Sequence, residues 1–398
     1  MSAFAGVAEK AGYELVVPPM FEDLGVFLRI GESTDVVTKE MYDFEDKAGR
    51  RVALRPEHTA GVCRAFVQHR PLLPWKVWYA GSNFRYEKPQ AGRFRQFDQV
   101  GVEALGSSDP LLDVEVVALA ADFYASLGLR DVSLVVNSLG DAADRESYVG
   151  ALREYFTARV GELSEESRAN IERNPLRILD SKREADAAAI SDAPSMTAHL
   201  GAEARDHFAA FTAGLRALGV AHTVDDRLVR GLDYYVRTTF EFRSTALDAS
   251  QNAVGGGGRY DGLVENLGGP PTPGIGFALG VDRILLACDA EGVFPADPPV
   301  VEVFVVDVTG GQEALALTRE LREAGWGCDR AFDARSMKSQ MKSADRSGAR
   351  LAVIVGPDEV TSGTVVLRNL VDSGQETVSR AELVSRLGAI RQRETEQR

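Results

Sequence analysis

The sequence is poor in the residues that form metal sites and disulfide frameworks. Its 398 residues include 3 cysteines and 5 histidines. Cys63, Cys288 and Cys328 are far apart and odd in number, so they predict neither a disulfide framework nor a CxxC metal clamp. Because the histidines are scattered too, we expect no structural zinc site, and the sequence assigns no metal ligand among the protein side chains.

Long hydrophobic runs are also missing. No segment approaches the roughly 18 consecutive apolar residues of a membrane span. Residues 1–17 carry charges of both signs and lack the apolar core of a signal peptide. We therefore expect a cytoplasmic protein with no membrane partner. A hydrophobic content of 44% with 26% charged residues is typical of a globular chain, and the length indicates two or three domains of roughly 150 residues.

Two common phosphate-binding motifs are absent. The chain has no GxxxxGK[ST] P-loop and no strand-linked GxGxxG, although GIGFALG at 274–280 is superficially similar. Any nucleotide site is therefore of neither the Walker nor the Rossmann type. The net charge of −14 argues against indiscriminate binding to nucleic acid. Residues 301–398 carry 14 basic and 15 acidic side chains, so the acidity lies in the first 300 residues.

Hydrophobic periodicity predicts an α+β chain. Residues 77–87 and 95–103 are β-prone and flank a polar connection, which predicts an antiparallel hairpin. Helical spacing follows, strand character returns at 235–242, and a strand–helix–helix–strand pattern follows a proline-rich stretch. The predicted domains are a core of 1–140 and 227–291, a helical insertion of 141–226, a linker of 292–299, a small α/β domain of 300–390 and a frayed tail of 391–398.

The predicted hairpin has one polar face. Residues two apart in a strand share a face, so Phe97, Gln99 and Glu103 point one way, and Arg85 and Glu87 share a face of the opposing strand. We interpret this surface as a floor that binds a ligand both charged and aromatic. The alternative is a solvated face with cross-strand ion pairs.

Three further segments could carry chemistry. LVRGLDYY at 228–235 sets Arg230 among apolar and aromatic residues, where a guanidinium needs an anion, either Asp233 or a ligand phosphate. GGGGRYDGL at 255–263 lets the backbone approach a ligand or another strand closely, or forms a flexible loop. Arg283 falls near a predicted helix start, which favours anions, so a cation there suits a phosphate ligand.

Together these segments resemble the class II aminoacyl-tRNA synthetases, and within them the histidyl-tRNA synthetase family. The stretch from Gly12 to Pro19 resembles motif 1 of the class, FRYE at 84–87 with Arg93 to Glu103 resembles motif 2, and Gly276 to Arg283 resembles motif 3. LVRGLDYY and GGRYDGL resemble stretches specific to the histidine family, and LRPEHTA at 54–60 fits it too. The resemblance implies an antiparallel class II sheet with flanking helices and a helical insertion, followed by an anticodon-binding-like domain.

The resemblance also implies roles for individual residues. Arg85 and Arg230 would be the catalytic cations. The ATP-binding residues would be Arg85, Glu87, Arg93, Phe97 and Arg283. The histidine-binding residues would be Glu57, Thr59 and Gln99 at the α-ammonium group, Glu103 and Tyr235 at the imidazole, and Tyr234 and Tyr260 as nearby walls. His58 stands where the family commonly has glycine, and we interpret it as a tolerated loop residue.

The implied activity is ATP-dependent formation of histidyl-adenylate and pyrophosphate, with Mg²⁺ on the outer phosphates, and then transfer of histidine to tRNA(His) by a homodimer. Four cations, Arg335, Lys338, Lys342 and Arg346, are spaced to share one helical face and indicate RNA contact, or else a solvated face. Two alternatives stay open: a catalytically silent regulatory paralogue, and a ligase that activates histidine without charging tRNA.

Overall fold

The computed structural model describes residues 1–29, 35–90, 92–179, 181, 183–229, 234–248, 251–294, 299–333 and 335–396. The chain divides into two compact units, Met1–Phe294 and Pro295–Arg398. Of the predicted linker 292–299, residues 295–298 lie outside the described residues. Among the helices described, none combines the length and the apolar character needed to cross a lipid bilayer.

The first unit contains the following elements among its described residues. Its strands are β1 (Glu14–Leu15), β2 (Phe21–Asp23), β3 (Asp43–Glu45), β4 (Arg51–Leu54), β5 (Trp75–Phe84), β6 (Gln96–Leu105), β7 (Val132–Ser138), β8 (Thr223–Val224), β9 (Val236–Ser244), β10 (Ala253–Arg259) and β11 (Gly274–Gly280). Its α-helices are α1 (Ser2–Lys10), α2 (Leu24–Leu28), α3 (Asp35–Thr38), α4 (Thr59–His69), α5 (Pro110–Ser126), α6 (Ala142–Ala158), α7 (Glu165–Arg173), α8 (Leu176–Leu179), α9 (Ala187–Ser191), α10 (Ala202–Ala217), α11 (Leu263–Asn266) and α12 (Val281–Glu291). Short 3₁₀ turns cover Val160–Glu162, Glu184–Asp186 and Met196–His199.

The large sheet of this unit has the strand order β1-β5-β6-β11-β10-β9-β7-β8. Its central pairs are antiparallel, and the outer pairs β1–β5 and β7–β8 are parallel. A separate sheet has the order β2-β4-β3. The predicted hairpin is confirmed, since β5 pairs antiparallel with β6 and Asn83 lies opposite Phe97. The α+β class is confirmed as well.

One face of the large sheet is packed and the other carries polar groups. On β6, Val100, Val102 and Ala104 are buried in a core that α1 and α5 cover. The alternate residues of β6, among them Gln99 and Glu103, therefore point to the opposite face. The start of helix α5 is stabilised by two residues. Pro110 occupies the first turn, and the Asp109 carboxylate caps the helix by accepting the Leu111 N–H at 2.9 Å.

The helical insertion lies between the parallel strands β7 and β8. Residues from α6 to the start of α10 form a hydrophobic cluster of their own, whereas Phe211 and Leu215 of α10 belong to the core of the large sheet. The two ends of this cluster meet at Asp144. Its carboxylate accepts the Asp141 N–H at 3.1 Å and the Gly201 N–H at 3.0 Å.

The second unit is a small α/β domain whose described strands follow the order β13-β12-β14-β15-β16. Strands β13, β12 and β14 are parallel, and β15 and β16 are antiparallel to their neighbours. The strands are β12 (Val303–Asp307), β13 (Cys328–Arg330), β14 (Leu351–Val355), β15 (Thr364–Asn369) and β16 (Gln375–Ser379). The helices are α13 (Gln312–Glu323), α14 (Met337–Ser347), α15 (Pro357–Ser362) and α16 (Leu383–Glu396), with a 3₁₀ turn at Arg380–Glu382.

The predicted frayed tail from 391 is wrong for the described residues, because α16 continues to Glu396. Leu383 and Leu387 of this helix are buried in the core of the second unit. The Arg391 guanidinium lies 3.5 Å from the centroid of the Trp326 ring and 2.7 Å from a Glu302 carboxylate oxygen. These contacts hold a polar stretch whose composition alone predicts disorder.

Candidate active site

A cavity of about 270 Å³ opens on the polar face of the large sheet. The centre of its floor is formed by β6, with β5 on one side and β11 and β10 on the other. The cavity brings together most of the predicted site residues. Its lining includes Glu57, Thr59, Arg85, Glu87, Arg93, Phe97, Gln99, Tyr234, Tyr235, Tyr260 and Arg283.

Of the predicted site residues, Glu103 does not itself line the cavity but is buried behind Thr59 and Tyr260 at one end of it. Glu103 is 1% exposed, and its Oε1 atom accepts a hydrogen bond from Thr59 Oγ1 at 2.6 Å. The hydroxyl groups of Tyr260 and Tyr79 also point at this carboxylate. Burial raises the pKa of Glu103 to about 8, although the hydroxyl donors oppose the shift. A carboxylate in such a pocket is suited to accept an N–H group from a ligand ring.

A glycine makes room for this carboxylate. Gly276 on β11 pairs with Glu103 on β6. A Cβ atom at Gly276 would lie 1.8 Å from Glu103 Oε2 and 2.4 Å from the Val102 carbonyl oxygen. Any side chain at this position therefore collides with backbone as well as with the carboxylate, so glycine is required here by close approach.

Glu57 caps the helix that follows it. Its carboxylate accepts the backbone N–H groups of Thr59 and Ala60, both at 2.8 Å. Burial raises the pKa of Glu57, and these hydrogen bonds oppose the shift. Nearby, Gln99 Oε1 accepts a hydrogen bond from Asn83 Nδ2 at 2.6 Å. The groups predicted for the ammonium site thus line one cavity, but the hydroxyl hydrogen of Thr59 is directed to Glu103.

Three arginines converge at the opposite end. Arg85 Nε donates to the Pro56 carbonyl at 3.0 Å, and its guanidinium lies 5.3 Å from the centre of the Phe97 ring. Arg283 donates to the carbonyls of Gly92, at 3.1 Å, and Ala253, at 2.8 Å. Burial lowers the pKa of Arg283, and the neighbouring charge of Arg93 adds to this. Arg283 is the third residue of α12, as its predicted place near a helix start requires.

A carboxylate balances part of this positive charge. Glu87 Oε2 lies 2.8 Å from Arg93 Nε, and Glu87 Oε1 lies 3.9 Å from Arg85 Nη1. The Arg283 guanidinium has no carboxylate within 4.0 Å in the part of the chain that the structure describes. This end therefore retains unneutralised cationic donors suited to phosphate oxygens.

A wall of tyrosines closes the carboxylate end. The rings of Tyr234 and Tyr235 are 4.6 Å apart between centroids, and Tyr234 packs edge-on against Tyr260 at 5.9 Å. All three side chains are buried. The predicted catalytic Arg230 lies outside the described residues, shortly before this wall in the sequence.

The sequence predicted no site role for Tyr79 or His58, yet both line the cavity. Tyr79 precedes Gly81 and Asn83 on the pocket face of β5, so the two-residue period could have identified it. His58, which we interpreted as a tolerated loop residue, lies in a bend directly before α4. It is the N-cap residue of α4, is 1% exposed and lines the cavity.

The four cations of the second unit do not share one helix. Lys338, Lys342 and Arg346 are exposed on α14, whereas Arg335 precedes the helix and its Nη2 atom lies 3.1 Å from Asp333 Oδ2. The prediction of a four-residue stripe is therefore wrong at Arg335, because Ser336 is the N-cap of the helix.

No group of three or more histidine, cysteine, aspartate or glutamate side chains is placed to hold a metal ion among the residues described. The three cysteines are buried and unpaired by disulfides. Any cation at this site would therefore depend on ligand oxygens for much of its coordination.

An antiparallel floor with arginines at one end and a buried carboxylate at the other defines the catalytic core of a class II aminoacyl-tRNA synthetase. A family model described as "Histidyl-tRNA synthetase" matches residues 1–284, and one described as "Anticodon binding domain" matches residues 302–390. The chain belongs to the histidyl-tRNA synthetase family and is an aminoacyl-tRNA ligase.

Individual relatives agree with the family match. The chain is 50% identical over 391 residues to a histidine–tRNA ligase of Rhodococcus opacus, covering 96% of this chain and 91% of the relative. It is 48% identical over 392 residues to one of Corynebacterium urealyticum, covering 97% and 91%. Among solved structures, apo histidyl-tRNA synthetase of S. aureus is similar with a TM-score of 0.70 and 34% identity, covering 96% of this chain and 93% of that one.

Proposed function

We propose that the chain activates histidine with ATP, forming histidyl-adenylate and pyrophosphate, and then transfers histidine to the 3′-terminal ribose of tRNA(His). One observation carries this proposal. A single cavity joins an arginine-rich end, suited to a triphosphate, to an end where hydroxyl groups surround the buried Glu103. Family membership supports the same reaction.

In the first step the histidine carboxylate attacks the α-phosphorus of ATP, and the bond to pyrophosphate breaks. Two anions must approach each other, so fixed cations near the α-phosphate lower the barrier. Arg85 bridges the substrate carboxylate and the α-phosphate, while Arg93 and Arg283 hold the outer phosphates. The nucleophile is already ionised at neutral pH, so this step needs no protein base.

Adenine stacks on Phe97, and Glu87 helps to place the base or ribose. The Arg85 guanidinium lies over the same ring, so the nucleotide and the catalytic cation share one platform. Arg230 is the second catalytic cation, and its loss should lower the rate by roughly 10²–10³-fold, as for removal of one preorganised donor.

Mg²⁺ fits the phosphate end. Such ions are held by one or two carboxylates together with substrate phosphates. Glu87 and Glu241 line the cavity there, and both act electrostatically on Arg283. When bound, the ion would neutralise charge on the outer phosphates.

Histidine is selected at the opposite end. Glu103 accepts an imidazole N–H and Tyr235 contacts the other ring nitrogen, with Tyr234 and Tyr260 as walls. Glu57, Thr59 and Gln99 receive the α-ammonium group. An apolar amino acid would leave these buried polar groups unpaired, so discrimination should be strong without an editing step.

The second unit contacts tRNA(His) through Lys338, Lys342 and Arg346, and the enzyme acts in the cytoplasm as a homodimer. The near-neutral charge of residues 301–398, within a chain of net charge −14, supports RNA contact on this unit rather than along the whole surface.

The test is histidine-dependent exchange of pyrophosphate into ATP, followed by charging of tRNA(His). Omitting histidine, and replacing it by other amino acids, are the controls. Both activities are expected. Exchange without charging would favour a ligase that activates histidine for another acceptor, and absence of both would favour a silent regulatory paralogue.

A further inference from the structure

His58 is a buried polar residue to which the mechanism above gives no task. It lies between Glu57 and Thr59 and its ring is stacked on that of Tyr79, with centroids 4.3 Å apart and an interplanar angle of 6°. Stacking covers one face of the ring, and both nitrogens lie on the ring edge outside this contact. The side chain is 1% exposed and lines the cavity.

Neither ring nitrogen of His58 has a hydrogen-bond partner in the described part of the chain, although both are buried. Buried polar atoms are nearly always hydrogen-bonded, since an unpaired one loses its hydrogen bonds to water and gains none in the protein. A buried imidazole with both nitrogens unpaired, on the wall of a substrate cavity, therefore indicates a partner that is not part of the protein.

The surroundings keep this imidazole neutral. Burial lowers the pKa of His58 to about 3, and the nearby charge of Arg55 adds to the shift. Arg55 is held in place by the carbonyls of Ser82, at 2.8 Å, and Pro18, at 2.6 Å. A neutral ring offers one N–H donor and one lone pair, so it can accept a hydrogen bond from a cation.

Sheet register places His58 between the two ends of the cavity. A Cβ atom at Gly81 would lie 3.5 Å from His58 Nε2, so the ring edge lies over this glycine. Gly81 pairs with Gln99, which stands on β6 between Phe97 of the arginine end and Glu103 of the carboxylate end. The group of an amino-acid ligand that lies midway is its main-chain end, with the ammonium and carboxylate.

Three acceptors around that position already have protein partners, although each keeps a lone pair for a ligand. Glu57 already accepts two backbone N–H groups, Thr59 gives its hydroxyl hydrogen to Glu103, and Gln99 Oε1 accepts from Asn83. The substrate carboxylate, by contrast, has cationic donors available at the arginine end. An ammonium group carries three N–H donors, so the lone pair of His58 can accept one of them beside these partly engaged oxygens.

We propose that His58 is a substrate-binding residue whose unprotonated ring nitrogen accepts a hydrogen bond from the α-ammonium group of bound histidine. This inference rests on the proposed function and adds a contact where the family commonly has glycine. Because the ring stays neutral, it adds no positive charge beside the ammonium group.

The test is His58→Phe, which keeps an aromatic ring on Tyr79 and removes both nitrogens. The matched control is His69→Phe, at the exposed end of the same helix. We expect the affinity for histidine, measured by calorimetry and as KM in pyrophosphate exchange, to weaken about 10- to 100-fold. The KM for ATP, and the affinity for the deamino analogue 3-(imidazol-4-yl)propionate, should stay within about twofold.

A measurement on the unsubstituted chain covers the case in which His58→Phe does not fold. With ¹⁵N-labelled histidine side chains, the His58 ring is recognised because it stays neutral at pH 5. Adding unlabelled histidine should shift one of its ring nitrogens, and adding the deamino analogue should leave that nitrogen unchanged.

Three results would overturn the inference: unchanged histidine affinity in the phenylalanine variant, an equal loss for the deamino analogue, or a ring nitrogen that responds to both ligands alike. Failure of the proposed function looks different. In that case the unsubstituted chain shows no histidine-dependent exchange, whereas failure of the His58 contact alone leaves exchange intact in both chains.

Discussion

Replacing Glu103 by glutamine should make the first unit more stable and a poorer binder of histidine. Burial raises the pKa of this carboxyl from 4.5 to about 8. Between these values the folded chain holds a proton that the unfolded chain releases, so the contribution of Glu103 to stability falls as pH rises and levels off above pH 8. Glutamine resembles the protonated acid and does not titrate.

The size of the effect follows from the two pKa values. One pKa unit corresponds to about 1.4 kcal/mol. The Glu103→Gln variant should therefore exceed its parent in unfolding free energy by at most about 1 kcal/mol at pH 5, about 3 kcal/mol at pH 7 and about 5 kcal/mol at pH 9. These are upper values, because the amide must also be satisfied by the hydroxyls of Thr59, Tyr79 and Tyr260.

Urea unfolding at the three pH values is the assay. Trp326 belongs to the second unit, so both chains should carry Trp326→Phe, which leaves Trp75 and Trp78 to report on the first unit. Above pH 8, where Glu103 of the parent is ionised, histidine affinity of the glutamine variant should be about 10- to 100-fold weaker, since a hydrogen bond to a charged acceptor is lost. A stability difference equal at pH 5 and pH 9, or a glutamine variant that is the less stable at pH 9, would refute the reasoning.

Three further outcomes are expected. Asp113→Ala should lower the free energy of unfolding in urea by about 3–5 kcal/mol, because it leaves the fully buried Arg259 without its main carboxylate. The double variant with Arg259→Met should recover part of this loss. Equal losses in the single and double variants would contradict the prediction. Phe97→Ala should raise the KM for ATP, measured by pyrophosphate exchange, by about 5- to 150-fold because stacking is lost. Phe97→Tyr keeps an aromatic ring, so its KM for ATP should stay close to that of the parent. Lys338→Ala with Lys342→Ala should lower the salt slope of tRNA(His) binding by about 1.5 without altering exchange, and an unchanged slope would place the RNA elsewhere.

The floor of the site was predictable because a strand has a period of two. Glu103, Gln99 and Phe97 alternate on β6 with Val100 and Val102, and the structure separates them onto the pocket and the core as that spacing requires. This inference needs only local geometry. It therefore requires no knowledge of contacts between distant segments.

What could not be predicted depends on contacts between distant segments. The stacking of His58 on Tyr79 arises where the start of α4 meets β5, and no pattern in LRPEHTA indicates it. The hydrogen bond from Thr59 to Glu103 joins residues 44 positions apart. Arg335 was misplaced for a local reason, since spacings of three and four continue through the Ser336 N-cap and cannot reveal where a helix begins.

The meeting of both ends of the insertion at Asp144 makes this region exchangeable. Because one carboxylate ties Asp141 to Gly201, a foreign module whose termini lie close together could replace residues 145–200 without stretching the catalytic sheet. The cut must spare α10, whose Phe211 belongs to the central core. Chimaeras built on these boundaries would let the insertion be exchanged while the catalytic sheet is left in place.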